Sequence, residues 1–168
     1  MKISAALNAI TIGAIACSLA PTTLRADPAI SPLAGSWTLV AADVIHTDGT
    51  RGPDYGAAPK GLMQIDGEGR YSLQIYKAER PRFASGDKRT GSDAEYKAAS
   101  LGSSTHFGTV SLDATAHTIT FKIDAASFPN WEGSTRSDPY ELKGDELSYR
   151  VTPRPNGEIP ISVWRRLK

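Results

Sequence analysis

The sequence predicts an all-β protein, an eight-stranded antiparallel up-and-down barrel with one short helix. Three observations predict it. From Ser36 onward, apolar and polar residues alternate with period two, the pattern of strands that bury one face. Glycine-containing turns interrupt the alternation at short intervals, so each strand is expected to pair with its neighbour in sequence. Helical periodicity is almost absent. A meander of eight strands removes its own exposed edges by closing, and a barrel of that size has room for packed side chains or one small ligand. An open two-sheet sandwich is the alternative architecture.

The elements follow in order. Met1-Lys2 precedes "ISAALNAITIGAIACSLA", apolar and uncharged through Ala20. This run reads as an export signal, because it ends in small residues and has no strong basic anchor; Arg25 is the one hint of such an anchor. Ser18-Leu19-Ala20 and Leu24-Arg25-Ala26 both have the small-x-small form, and Pro21 after the first favours cleavage after Ala26. The expectation is a signal peptide over 1–26, a barrel domain over 27–168, and a periplasmic or secreted location. Cys17, the only cysteine, lies in the leader, so the mature chain has no thiol chemistry. "AIAC" at 14–17 loosely resembles a lipoprotein processing box without its usual leucine, and a lipid anchor through Cys17 is the alternative.

"WTLVAADVI" opens the strand series. "GLMQID" and "RYSLQIYK" flank "GEG", a tight hairpin in which Gly67 and Gly69 can take positive φ. "THFGTVSLD" and "HTITFKIDA" form a second hairpin across Ala114 to Ala116. "PYELKG" and "ELSYRV" pair through Gly144-Asp145, and "EIPISVWRRL" follows the Asn156-Gly157 turn. Thr47 to Pro59, rich in Gly and Pro, reads as a surface loop. Ala78 to Ser100 is an insert between strands three and four. Ser92 with Glu95 three residues on forms a capping box there, which starts the one helix. Such an insert is expected to cover an opening or a flank of the barrel.

The charge balance excludes one class of partner. With 19 basic and 18 acidic residues the net charge is +1, so no broad cationic face is available for a phosphate backbone. No Gly-x-Ser-x-Gly nucleophile, phosphate-cradling glycine loop or paired metal-ligand spacing occurs. His46, His106 and His117 sit in three separate segments, so neither a metal nor a cofactor is expected.

Gly35-Ser36-Trp37 at the entry to the first strand, with paired arginines ending the last, resembles the lipocalin and wider calycin pattern. "GSWTLV", "DGTR", "GRYSLQIYKAERPRFASGD", "HFGTVSLD" and "FPNWEG" together resemble the bacterial lipocalin-like domain family over nearly all of the mature chain. The resemblance implies a closed barrel with a small-molecule cavity. It also implies that Gly35, Trp37 and a final-strand arginine plug the narrow end, the arginine lying across the indole with cation–π character. The ending "VWxR" points to Arg166; alternation through Ile159, Ile161 and Val163 points to Arg165.

Ligand-facing candidates come from the opposite end. Tyr71, Leu73 and Ile75 alternate on one strand and Ile119, Phe121 and Ile123 on another, as filled core or as cavity wall. His106 shares the phase of Val110 and Leu112, which points it inward, where it can orient a ligand or simply be hydrogen-bonded. Gln74 and Tyr76 fall on the outward phase, but a slip of one residue exchanges the faces, and the family-like "YSxQI" keeps both as candidates. Arg80, Arg82, Lys88 and Arg89 in the insert can attract an anionic head group or stay solvated. Phe128-Pro129-Asn130-Trp131 is a stiff aromatic turn that either caps a cavity mouth or pins a loop.

The expected ligand-binding set is therefore Tyr71, Gln74, Tyr76, Arg80, His106, Asn130 and Trp131. The partner is a small apolar or amphipathic molecule, anionic in one version, bound without nucleic acid or a stable membrane span. The alternatives are an isomerase or cyclase using His106 and Tyr76 for proton transfer, and a structural envelope-associated module with a packed interior.

Overall fold

A computed structural model describes residues 31–168; the expected signal peptide, both cleavage points and Cys17 lie outside the described residues. The chain forms β1 (Gly35–Ile45), β2 (Arg51–Pro53), β3 (Lys60–Ile65), β4 (Arg70–Tyr76), α1 (Asp93–Leu101), β5 (Ser103–Asp113), β6 (Thr118–Ala126), a 3-10 turn (Pro129–Trp131), β7 (Thr135–Lys143), β8 (Glu146–Arg150) and β9 (Ile159–Arg166). From β3 to β9 every strand pairs antiparallel with the next in sequence, β1 pairs with β3, and β1 also pairs with β9. That last ladder closes an eight-stranded barrel. Closure leaves the open sandwich without support.

Two boundaries differ from the sequence expectation. Within the stretch read as a loop, Arg51–Pro53 pairs with Asp43–Ile45 and adds a short strand beside the upper half of β1. Its turn is held by Asp48, whose carboxylate accepts from the Thr50 N–H at 2.9 Å, and by an Arg51–Asp43 ion pair of 2.7 Å. The helix therefore lies between β4 and β5, not between strands three and four. β7 starts at Thr135, four residues before the expected Pro139. A proline ordinarily breaks a strand because it lacks a donor. Here Tyr140 N–H bonds toward the β6 side, to His117 O at 3.2 Å, so the missing Pro139 donor faces β8, where the ladder begins only at Tyr140.

The inward faces build one core. Trp37, Met63, Leu73, Ile119, Phe121, Ile123, Leu147 and Trp164 are fully buried. At the narrow end the Trp37 Nε1–H donates to Leu33 O at 2.9 Å. The Arg166 guanidinium carbon stands 4.1 Å from the centre of the Trp37 ring. Arg166 also donates to Pro32 O at 2.8 Å and to Ala34 O, whereas Arg165 points outward toward Glu146 at 3.5 Å. Gly35 adopts φ 131°, and a Cβ at that position would stand 3.1 Å from Arg166 Nη1. Gly69, at φ 82° in the β3–β4 turn, leaves room for Val110 O, which a Cβ would meet at 2.6 Å.

The helix buries none of its residues. Its capping box is formed, with the Ser92 N–H donating to Glu95 Oε2 at 2.7 Å. The other oxygen of Glu95 accepts from the Ala84 N–H at 2.6 Å, and Phe83 packs edge-on against Tyr96 with ring centres 5.4 Å apart. The insert is thus held together by its own contacts on the barrel flank.

Candidate functional site

With Trp37 and Arg166 at one end, the loops after β1, β4, β6 and β8 gather at the other. There the interior opens into a cavity of about 440 Å³, within the size range of small-molecule sites. Leu73, Ile75, Ile123 and Val151 supply aliphatic wall; His106, Trp131, Phe128 and Tyr149 supply aromatic wall. At the mouth, Arg154 on the β8–β9 loop pairs with Asp54 just after β2, bridging two loops that both line the cavity.

The aromatic groups form one connected cluster. Tyr71 packs edge-on to His106 at 5.3 Å and to Phe121 at 5.1 Å. His106 in turn packs edge-on to Trp131 at 6.1 Å. The Tyr71 hydroxyl lies 2.6 Å from His106 Nδ1. Burial pushes the Tyr71 phenol well above its ordinary value, so it remains protonated. Burial, reinforced by the nearby Arg136 charge, pushes His106 down to about 4, so the imidazole is neutral at physiological pH. The Tyr71 contact engages Nδ1 and leaves Nε2 as the ring nitrogen without a protein partner among the described residues. That nitrogen is not sealed in the wall: among the described residues, the one fully enclosed side-chain polar atom without a partner is Trp164 Nε1.

β7 contributes a charged pair that the sequence reading did not single out. Arg136 lines the cavity, and its Nε donates to Asp138 Oδ2 at 2.6 Å. Asp138 is 1% exposed and accepts the Thr152 N–H on its other oxygen at 3.2 Å. Burial raises the Asp138 carboxyl above its usual range, against the opposing pull of Arg136. The Arg136 guanidinium also lies 5.3 Å from the centre of the Phe121 ring, a contact that holds its plane. The period-two run Arg136, Asp138, Tyr140, Leu142 could have revealed this face. The proline within it hid the signal.

The seven predicted ligand residues separate by position. His106 and Trp131 line the cavity, and Tyr71 stands behind His106 as its hydrogen-bond partner. Gln74 and Tyr76 are on the outer wall, where they border a second, more open cleft with Thr105 and Phe107; β4 keeps Tyr71, Leu73 and Ile75 inward and no register slip exchanges the faces. Arg80 lies 4.9 Å over the Tyr76 ring on that flank, away from the cavity lining. Asn130 is exposed in the 3-10 turn, and Trp131 beside it makes the inward contact. His106 borders that second cleft together with Tyr76, but its side-chain hydrogen-bond partner is Tyr71. Among the described residues no cluster of three or more metal-ligating side chains forms, and no helix is long and apolar enough to cross a membrane.

A family model described as a lipocalin-like domain matches residues 34–167. The chain belongs to the lipocalin-like domain family. No curated protein matches it. In this lipocalin-like domain the match ends at the strand that carries Arg166 and begins beside Gly35, so it spans every strand of the barrel.

Proposed function

We propose that this lipocalin-like domain reversibly binds a small, mostly apolar molecule in the cavity at the wide end of the barrel. One observation carries the reading: a cavity of about 440 Å³ whose wall is mainly aromatic and aliphatic, with a few polar groups converging on it. Such a lining gains from excluding water around an apolar body, while the polar groups fix its orientation.

A fluorescence titration with the neutral probe N-phenylnaphthylamine tests this. Saturable binding is expected, reversed by competing apolar molecules and abolished by Ser104→Trp, which places an indole in the cavity mouth. A folded wild type that leaves the probe unbound refutes the reading. Export of the mature domain is part of the same proposal, supported by the uncharged leader through Ala20. N-terminal sequencing of the protein recovered from a periplasmic or culture fraction tests it, and a chain still beginning at Met1 refutes it.

A second reading has one specific observation in its favour. The 2.6 Å contact of Tyr71 with His106, a residue of the cavity wall, is an arrangement that can orient a substrate and relay a proton in an isomerase or cyclase. Loss of turnover in His106→Gln with ligand binding retained would favour it; equal turnover in the two proteins refutes it.

A further inference from the structure

The polar groups around the cavity are unequal in kind. Arg136 has five N–H donors, of which Nε is given to Asp138 at 2.6 Å; among the described residues no protein acceptor is hydrogen-bonded to its Nη groups. Its side chain is 18% exposed, and it lines the cavity. His106 lines the same cavity, with Nδ1 taken by Tyr71 and Nε2 without a protein partner among the described residues.

The neighbouring carboxylates are each paired with an arginine. Asp138 has one oxygen on Arg136 and the other on the Thr152 N–H. Asp43 is paired with Arg51 at 2.7 Å, and Asp54 is paired with Arg154. The cavity therefore holds an arginine edge without a protein partner among the described residues, beside carboxylates that already have a cation. A guanidinium with its Nη edge open is the geometric match for two oxygens on one planar group. Both Arg136 and His106 lie against the Phe121 ring, at 5.3 Å and 5.9 Å from its centre, so the two side chains stand at the same region of the wall.

We infer that the ligand is an amphipathic carboxylic acid, bound as its anion with both oxygens on the Nη edge of Arg136, the His106 Nε2–H as auxiliary donor, and its apolar body against Phe128, Trp131 and Ile123. The inference rests on the cavity-binding reading above and adds the ligand's head group to it. It places the anion site on β7, inside the barrel, and not on Arg80 in the insert.

The test compares naphthaleneacetate with its near-isosteric alcohol, naphthaleneethanol, by calorimetry and by displacement of N-phenylnaphthylamine at neutral pH. The wild type is expected to bind the acid roughly ten-fold or more tightly than the alcohol, the scale of a charge-assisted pair. In Arg136→Met the ratio of the two affinities falls to about one. The double variant Arg136→Met, Asp138→Asn is expected to give the same ratio and avoids leaving a buried carboxylate unpaired, so a misfolded single variant does not end the test. Equal affinities in the wild type overturn the carboxylate inference while leaving the cavity reading intact. Persistence of the acid preference in both variants overturns the assignment to Arg136. Failure of the wild type to bind acid, alcohol and probe alike overturns both readings together.

Discussion

Replacing His106 by Gln should change how the barrel responds to acid. His106 is 5% exposed, and burial lowers it from the ordinary 6.5 to about 4. Between those values the unfolded chain binds a proton that the folded chain refuses, so stability falls as pH drops through 6.5 and the loss levels off near 4. At about 1.36 kcal/mol per unit, this shift corresponds to roughly 3 kcal/mol. That is a large fraction of the ~5–15 kcal/mol typical of a domain. Asp138 acts in the opposite sense, because its raised carboxyl favours the folded state as it takes up a proton. It is present in both proteins, so the comparison cancels it. Gln keeps an acceptor within reach of Tyr71 and removes the titration. Urea unfolding at a series of pH values from 7.5 to 4 should show the wild type losing roughly 3 kcal/mol more than His106→Gln over that range. Parallel stability curves for the two proteins would refute the reasoning, since they would mean that His106 titrates alike in the folded and unfolded states.

Other perturbations have equally definite outcomes. Arg166→Ala should cost about 2 kcal/mol in urea unfolding through the lost cation–π contact and carbonyl hydrogen bonds, whereas Arg165→Ala, exposed at the same strand end, should stay within about 0.5 kcal/mol. Gly35→Ala should lower the melting temperature, because φ 131° strains any side chain and its Cβ crowds Arg166. Trp131→Ala should weaken N-phenylnaphthylamine binding several-fold without unfolding the barrel, as the indole is half-buried wall at the mouth. At high pH the buried Tyr71 phenol resists ionisation, so stability should fall as pH rises above 10, and Tyr71→Phe should reduce that fall in alkaline unfolding curves.

Much of the barrel could be read from the chain because turns and alternation act locally. The hairpins at 66–69, 114–117 and 144–145 each carry their own turn chemistry, and the capping box of Ser92 and Glu95 marks the helix start without reference to anything distant. Phase errors arose where a long-range irregularity reset the alternation. In β9, Ile161 and Ser162 are both buried and the inward phase passes to Trp164 and Arg166; the opposite β1 carries a register shift between Leu39 and Ala41. Simple alternation through Ile159, Ile161 and Val163 therefore pointed to the wrong arginine, and the family-like ending pointed to the one that covers Trp37. Arg136 and Asp138 went unread because Pro139 breaks the local strand pattern, and its tolerance depends on which neighbour its missing donor faces. That is a property of the sheet. His106 and Trp131 were legible from strand phase and turn composition, but the partnership of His106 with Tyr71 joins residues 35 positions apart, which no local pattern encodes.

Backbone amide NMR during titration with N-phenylnaphthylamine locates the bound molecule directly. The largest shift changes should fall on Ser104 to His106, Trp131 and Ser134 to Arg136, which surround the wide-end cavity. Changes centred on Trp37 and Arg166 at the closed end, or a spectrum unmoved at saturating probe, would contradict a binding site in that cavity.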